Sequence, residues 1–236
     1  MFVREVKFNF KNVQKDSYLN NLIFKNISSL KFTKDIIFLT GRNGVGKTTF
    51  MESLAYNFNL NKYGGSKNFI LDEDKKPELF DFILLVKEVK KPRDAFFFRS
   101  DSFFNLEDDL KRYKSSKFDY SGERSFKEQS HGESFMSFFQ NRIGDNGIYF
   151  FDEPETALSY ENQILFLFML REFEKLNNQI FIITHSPILL SFPNAQILNF
   201  TLDEIENLEY EQTEQYKNYK YFLDNYKRFQ KEVLED

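Results

Sequence analysis

The stretch Gly41-Arg42-Asn43-Gly44-Val45-Gly46-Lys47-Thr48-Thr49 constrains this chain more than any other. Three of its first six residues are glycines, which adopt positive φ and let backbone approach oxygen atoms closely. Successive N–H groups in such a loop turn inward and form a nest for an anion. The apolar run Ile36–Thr40 before it predicts a buried strand. The residues after it, Thr48–Asn59, predict a helix whose N-terminal dipole adds positive potential. The spacing fits G-x-x-x-x-G-K-[ST], in which Lys47 reaches β- and γ-phosphates and the Thr48 hydroxyl ligates magnesium. The chain must therefore build a strand, a phosphate loop and a helix in immediate succession.

Further apolar runs set the fold class. Ile148–Phe151, Gln179–Thr184 and Ala195–Phe200 read as buried strands, each bounded by polar or turn residues. Continuous apolar strands belong to parallel sheets covered on both faces. Glu161–Lys175 carries apolar residues every three or four positions and predicts a helix between two of them. The alternation predicts an α/β fold with a mostly parallel central sheet flanked by helices. Val3–Phe10 and Leu22–Phe32 are more polar and alternate, which predicts an antiparallel β layer ahead of the main sheet. Asp72–Lys117 is charged and punctuated by Lys75-Lys76-Pro77 and Lys90-Lys91-Pro92. It reads as a small inserted subdomain within one domain spanning 1–236, with the core at about 1–71 and 118–236. No heptad stretch is read anywhere, which argues against a long coiled-coil arm.

Composition excludes several chemistries. With no cysteine, disulfides and thiol catalysis are excluded, and two histidines argue against a histidine-rich metal site. No apolar run approaches the roughly 18–20 residues of a membrane helix. The start of the chain, Met1–Phe10, lacks the apolar region of a secretion signal, so a cytoplasmic chain is expected. Net charge is −4, and residues 201–236 carry 10 acids and 5 bases, so a nucleic-acid footprint would have to be local.

Three segments downstream supply partners for a phosphate loop. Ile148-Tyr149-Phe150-Phe151-Asp152-Glu153 is a strand that ends in two carboxylates. Its end delivers Asp152 toward a magnesium shell, and Glu153 can polarise an attacking water as general base. Phe181-Ile182-Ile183-Thr184-His185 is a second strand ending in a polar residue; parallel strands present such ends along one edge, where ligands bind. His185 is placed there to sense or position a γ-phosphate. Ser130-His131-Gly132-Glu133-Ser134 precedes an expected helix, Phe135–Arg142, and offers a hydroxyl and free N–H groups to an anion; an ordinary helix cap has the same form.

Together these segments resemble the ATP-binding-cassette superfamily of P-loop NTPases. Gly41–Thr49 resembles its Walker A motif and Ile148–Glu153 its Walker B motif. Pro154–Ser159 resembles the D-loop, His185 the switch histidine, and Gln129–Glu133 a degenerate signature. Tyr63–Phe69, Phe97–Asn105, Glu128–Phe138, Thr184–Leu190 and Thr213–Leu223 are similar to a family of short soluble ATPases within that superfamily. The resemblance implies ATP and Mg2+ as ligands. Gly41, Arg42, Asn43, Gly44, Val45, Gly46, Lys47, Thr48 and Thr49 would hold nucleotide, with Thr48 and Asp152 at the metal. Lys47, Glu153 and His185 would act in hydrolysis. It further implies a head-to-tail homodimer in which Ser130, Gly132 and Glu133 of one copy face the phosphate loop of the other.

Two departures stand out. His131 occupies a position usually held by glycine in the signature. No glutamine lies between Thr48 and Phe126, where the superfamily has its Q-loop residue. Arg99-Ser100-Asp101-Ser102 sits there instead, which nominates Asp101 for the metal or water contact. An upstream aromatic such as Tyr18 is a candidate to stack on the base. The expected function is an ATP-hydrolysing switch acting on a macromolecular partner, nucleic acid among the options. A transporter's nucleotide-binding subunit and a non-hydrolysing regulator are the alternatives.

Overall fold

The computed structural model describes residues 1–11, 13–14, 17–66, 76–100 and 142–234. Its centre is a seven-stranded sheet of β3 (Ile36–Gly41), β4 (Gly65–Ser66), β6 (Asp94–Arg99), β7 (Gly147–Asp152), β8 (Gln179–Ile183), β9 (Gln196–Phe200) and β10 (Ile205–Leu208). The strand order is β10-β9-β3-β8-β7-β6-β4. The five inner strands run parallel, while β10 and β4 are antiparallel edges. A smaller antiparallel sheet, β2-β1-β5, joins β1 (Val3–Phe8), β2 (Ser29–Lys31) and β5 (Ile83–Lys87).

Alternation along the strands divides the core in two. Phe150, Phe181 and Ile183 face one side, where they pack with Phe50, Met51 and Leu54 of α1 (Lys47–Tyr56) and with Val3 and Val6 of the small sheet. Tyr149, Phe151, Ile180 and Ile182 face the other side. There they meet Phe166, Leu170 and Phe173 of α2 (Tyr160–Lys175), together with Leu189 and Leu190 of α3 (Pro187–Leu190). Both faces of β7 and β8 are fully buried, which explains why these strands read as unbroken apolar runs. The two sheets are clasped by the buried Gln179 side chain: its Oε1 accepts from the N–H groups of Phe2 and Val3 at 2.7 and 2.8 Å, and its Nε2 donates to the Val3 carbonyl at 2.8 Å.

The α/β architecture and the mostly parallel sheet agree with the sequence. Three local expectations change. Leu22–Phe32 is not one strand: Ile23–Asn26 forms a 3-10 turn, and only Ser29–Lys31 joins the sheet. The turn has a packing reason, because Leu22 and Phe24 close around the phosphate loop at Gly46. Residues 83–99, assigned above to an insert, are integral to both sheets. β5 pairs with β1, and β6 pairs with β7 from Asp94–Gly147 to Arg99–Asp152. Residues 101–117 of the expected insert lie outside the described residues.

The third change is at the C-terminal end. A 21-residue helix, α4 (Glu214–Leu234), follows β10, and none of its residues is buried. Its apolar positions Tyr219, Phe222, Tyr226, Phe229 and Val233 recur with alternating spacings of three and four. That is a short heptad seam, contrary to the reading of no heptads. The helix itself carries more bases than acids, so the acidity of residues 201–236 resides mainly in Asp203–Glu214. Among the described residues, no helix is long and apolar enough to cross a membrane.

Candidate active site

The carboxyl ends of β3, β8 and β7 lie side by side, because β8 pairs with β3 on one flank and with β7 on the other. Three sequence segments far apart in the chain thereby reach one edge. The phosphate loop leaves β3, His185 follows β8, and Asp152 closes β7 directly opposite Ile183. Backbone bonds fix the edge further: Glu153 N–H donates to the Ile183 carbonyl at 3.0 Å and Thr184 N–H to the Leu39 carbonyl at 3.2 Å.

The loop has the shape its glycines predict. Gly41, Gly44 and Gly46 have φ of +115°, +80° and +102°. At Gly41 a Cβ would lie 2.1 Å from the Phe200 carbonyl oxygen, so the close approach of β3 to β9 admits only glycine. Val45 is buried in the core and pins the loop, while Arg42, Asn43 and Gly44 are exposed. Gly46 caps α1 without a side-chain hydrogen bond, and the first N–H groups of a helix have no intrahelical acceptor, which suits an anion there.

Lys47 is only 6% exposed. Its ammonium donates to the carbonyls of Gly41 at 2.8 Å and Arg42 at 2.7 Å, folding over its own loop. Burial pushes its pKa down, and the nearby carboxylates of Glu153 and Asp152 oppose that shift. A buried cation held by neutral carbonyls, with acids close by, suits an anion that arrives with a divalent metal. Thr48 lies at the first turn of α1, half-buried. The residues present therefore fit a phosphate–magnesium ligand.

Glu153 adopts a left-handed backbone with φ of +50°, and Pro154 begins a 3-10 turn. A non-glycine residue in that region is uncommon, and such conformations concentrate at functional sites. The reversal tucks Glu155 under the edge, where its Oε1 accepts the His185 N–H at 2.7 Å. Burial raises the Glu155 pKa, with the His185 N–H pulling it down. Burial also lowers the His185 pKa, helped by the Lys47 charge and opposed by Glu153. Gln215, at the root of α4, places Nε2 3.5 Å from His185 Nδ1. An amide N–H donated there leaves the proton of the neutral ring on Nε2, which is buried and has no hydrogen-bond partner among the described residues. Ser186 Oγ caps α3 and donates to Gln163 Oε1 at 2.6 Å, tying the strand end to α2.

Lys47, Thr48, Asp152, Glu153 and His185 thus share one edge. Asp101, Ser130, Gly132 and Glu133 lie outside the described residues, as do His131 and most of the expected helix Phe135–Arg142. Where the Q-loop was expected, Arg99 ends β6 beside Asp152; its guanidinium pairs with Glu52 of α1 at 2.5 Å and donates to the Lys62 carbonyl at 3.0 Å. Tyr18 stands next to α1 and hydrogen-bonds Thr49; burial raises its pKa, and the Glu78 and Glu52 charges add to this. Four participants had escaped the sequence reading: Glu155, Gln215, Arg99 and Glu52. Glu155 carried a signal, a proline-turned acidic residue after a strand end. Arg99 and Glu52 carried none that is local.

Residues 125–190 match the family model described as the AAA ATPase domain, a span that holds β7, Asp152, Glu153 and β8 through His185. The match covers just over a quarter of the chain and begins beyond the phosphate loop. A solved structure of a metal-chelate type ABC transporter in an inward-facing conformation matches with a TM-score of 0.50 at 17% identity, covering 92% of this chain and 88% of that one. At such identity the likeness is one of fold: a mostly parallel sheet with flanking helices, resembling the ATP-binding-cassette ATPase fold. No curated protein matches the chain.

Proposed function

We propose that this chain is an ATP-binding-cassette-type ATPase that hydrolyses the terminal phosphoanhydride of ATP. The observation that carries the reading is the convergence of Lys47, Asp152, Glu153 and His185 on the shared edge of β3, β7 and β8. The nest Gly41–Thr49 holds the phosphates through backbone N–H groups. Lys47 exchanges the carbonyls of Gly41 and Arg42 for β- and γ-phosphate oxygens, a charge-assisted replacement of neutral hydrogen bonds. Thr48 and Asp152 would hold Mg2+, which when bound would neutralise charge developing on the transferred group. Glu153 accepts a proton from the attacking water. His185, with its proton on Nε2, donates to the γ-phosphate, while Glu155 fixes its backbone and Gln215 its tautomer.

The site is half of a composite one in this reading. Ser130, Gly132 and Glu133 of a second copy face the phosphate loop, and Asp101 takes the place of the missing glutamine. ATP then favours a closed head-to-tail dimer and hydrolysis opens it, because only the closed state contacts the γ-phosphate from both sides. The chain would thereby switch a macromolecular partner within the cytoplasm.

Glu153→Gln separates binding from hydrolysis. In ATP and Mg2+ the variant should sediment as a dimer and release phosphate at least about 100-fold more slowly than wild type, the scale of a lost general base. A monomer with wild-type hydrolysis would reject the reading. ATP binding with negligible release from both proteins would instead indicate a non-hydrolysing regulator.

A further inference from the structure

The helix α4 leaves the core beside His185 and keeps its apolar side to itself. The seam Tyr219, Phe222, Tyr226, Phe229 and Val233 lies along one stripe, with Leu223 and Leu234 at its margin. The exposed members range from 44% exposed at Tyr226 to 84% at Leu234. At 100° per residue, Lys217, Lys220, Asp224, Lys227, Arg228, Lys231 and Glu232 all fall outside the arc that holds the seam. An isolated helix of this length is marginal in water, and helices draw most of their stability from packing an amphipathic face. The face of α4 therefore calls for a partner that the described residues do not supply.

We propose that α4 pairs with α4 of a second copy, and does so without nucleotide. A 3-4 repeat is the spacing that lets two helices interlock along their whole length, whereas an apolar face with no such repeat would serve a flat surface equally well. The positions that flank the seam across such a pair are Asn218, Asn225, Leu223, Gln230 and Glu232, so only Glu232 brings a charge near the interface and like-charge repulsion is small. A half-exposed aromatic or aliphatic side chain offers about 100 Å² to a partner. Six of them give on the order of 600 Å² per copy, so the pair reaches about 1,200 Å², the lower bound of a stable specific interface. The polar side mixes Glu214, Asp224 and Glu232 with its five bases, unlike the Lys/Arg-rich face of a helix lying on an anionic membrane.

Such pairing has a consequence for the ATPase. Two cores tethered through α4 meet each other at an effective concentration set by the tether, so closure on ATP becomes an intramolecular step. The pairing concerns the same second copy that the proposed function requires. It does not depend on ATP, so the two readings fail separately.

The absence of native cysteine gives a direct test on the full chain. Tyr226 is the middle of the five seam positions, so it meets its own counterpart whether the helices run parallel or antiparallel. Under mild oxidant without nucleotide, Tyr226→Cys should cross-link to a covalent dimer, and Lys217→Cys on the opposite side should not. Wild type should sediment at twice the chain mass of 28.4 kDa. Phe222→Glu with Tyr226→Glu should fall to the single mass, and Phe222→Leu with Tyr226→Leu should keep the double mass. A nucleotide-free wild type at the single mass would overturn the proposal. So would equal cross-linking of the two cysteine variants, a dimer that survives both glutamates, or a monomer that α4 holds on anionic vesicles. If Glu153→Gln dimerises only on adding ATP while Tyr226→Cys never cross-links, the α4 proposal fails and the ATPase reading stands.

Discussion

The phosphate edge and α4 handle buried surface in opposite ways. At the edge, Lys47 is folded onto two carbonyls, Glu155 onto the His185 N–H, and Phe150 stacks on Phe181 with centroids 5.4 Å apart. Charged groups there are taken out of water and matched to dipoles or to one another. Along α4 the side chains of Tyr219, Tyr221, Phe222 and Tyr226 are exposed, and among the described residues the helix is fixed to the core at its root, near Thr213 and Gln215. The groups at the edge find partners within the chain, whereas no described residue covers the apolar face of α4. The seam is thus exposed surface rather than a piece of the core.

The comparison breaks first at Glu153. Replacing it with Gln should leave ATP binding intact and slow phosphate release by about 100-fold or more. Next comes packing. Phe150→Ala should cost about 3–5 kcal/mol in denaturant unfolding, the scale for a fully buried aromatic, since Phe150 is completely enclosed. Gly41→Ala should cost on the order of 1–3 kcal/mol, because a side chain at φ +115° meets the Phe200 carbonyl. If Gly41→Ala melts with wild type, the close approach of β3 and β9 is wrong.

A smaller effect concerns pH. The native His185 ring has a lowered pKa and binds fewer protons than the unfolded chain just below the ordinary histidine value of 6.5. Stability from this group is therefore complete above that value and is lost as pH falls through and below it. His185→Gln should lose less stability than wild type between about pH 7.5 and about pH 5.5, read as melting temperature. A wild type that gains relative to the variant on acidification would reverse the sign. The smallest effect lies on the other side of the comparison: Phe222→Ala should change the unfolding free energy of the monomeric chain by no more than about 0.5 kcal/mol, since Phe222 is half in solvent. A cost like that of Phe150→Ala would place α4 inside the core.

Much of this was legible in the residues. Strands β3, β7, β8 and β9 read as apolar runs because both faces of the sheet are covered, and the glycine spacing of the loop dictated its backbone. The strand β6 did not read as core, although Ala95–Phe98 is apolar, because flanking Lys-Lys-Pro turns gave its surroundings the look of an insert. What placed it was pairing with β7, which lies about 50 residues downstream. The seam of α4 was masked by composition, since two of its five positions, Tyr219 and Tyr226, are tyrosines, which read as polar or apolar according to context. Glu155 is one more acid after Asp152 and Glu153 in the sequence; the left-handed Glu153 and Pro154 bring it beneath His185. The His185–Gln215 contact spans 30 residues and leaves no pattern in either segment.

In the proposed function Lys47, Asp152, Glu153 and His185 form one phosphoryl-transfer site. Single-turnover phosphate release from ATP and Mg2+ tests it most directly, with wild type, Lys47→Ala and Glu153→Gln compared at enzyme in excess of nucleotide. Wild type should release phosphate, Lys47→Ala should lose both binding and release, and Glu153→Gln should retain binding with release slowed about 100-fold. Equal release from all three proteins would contradict it.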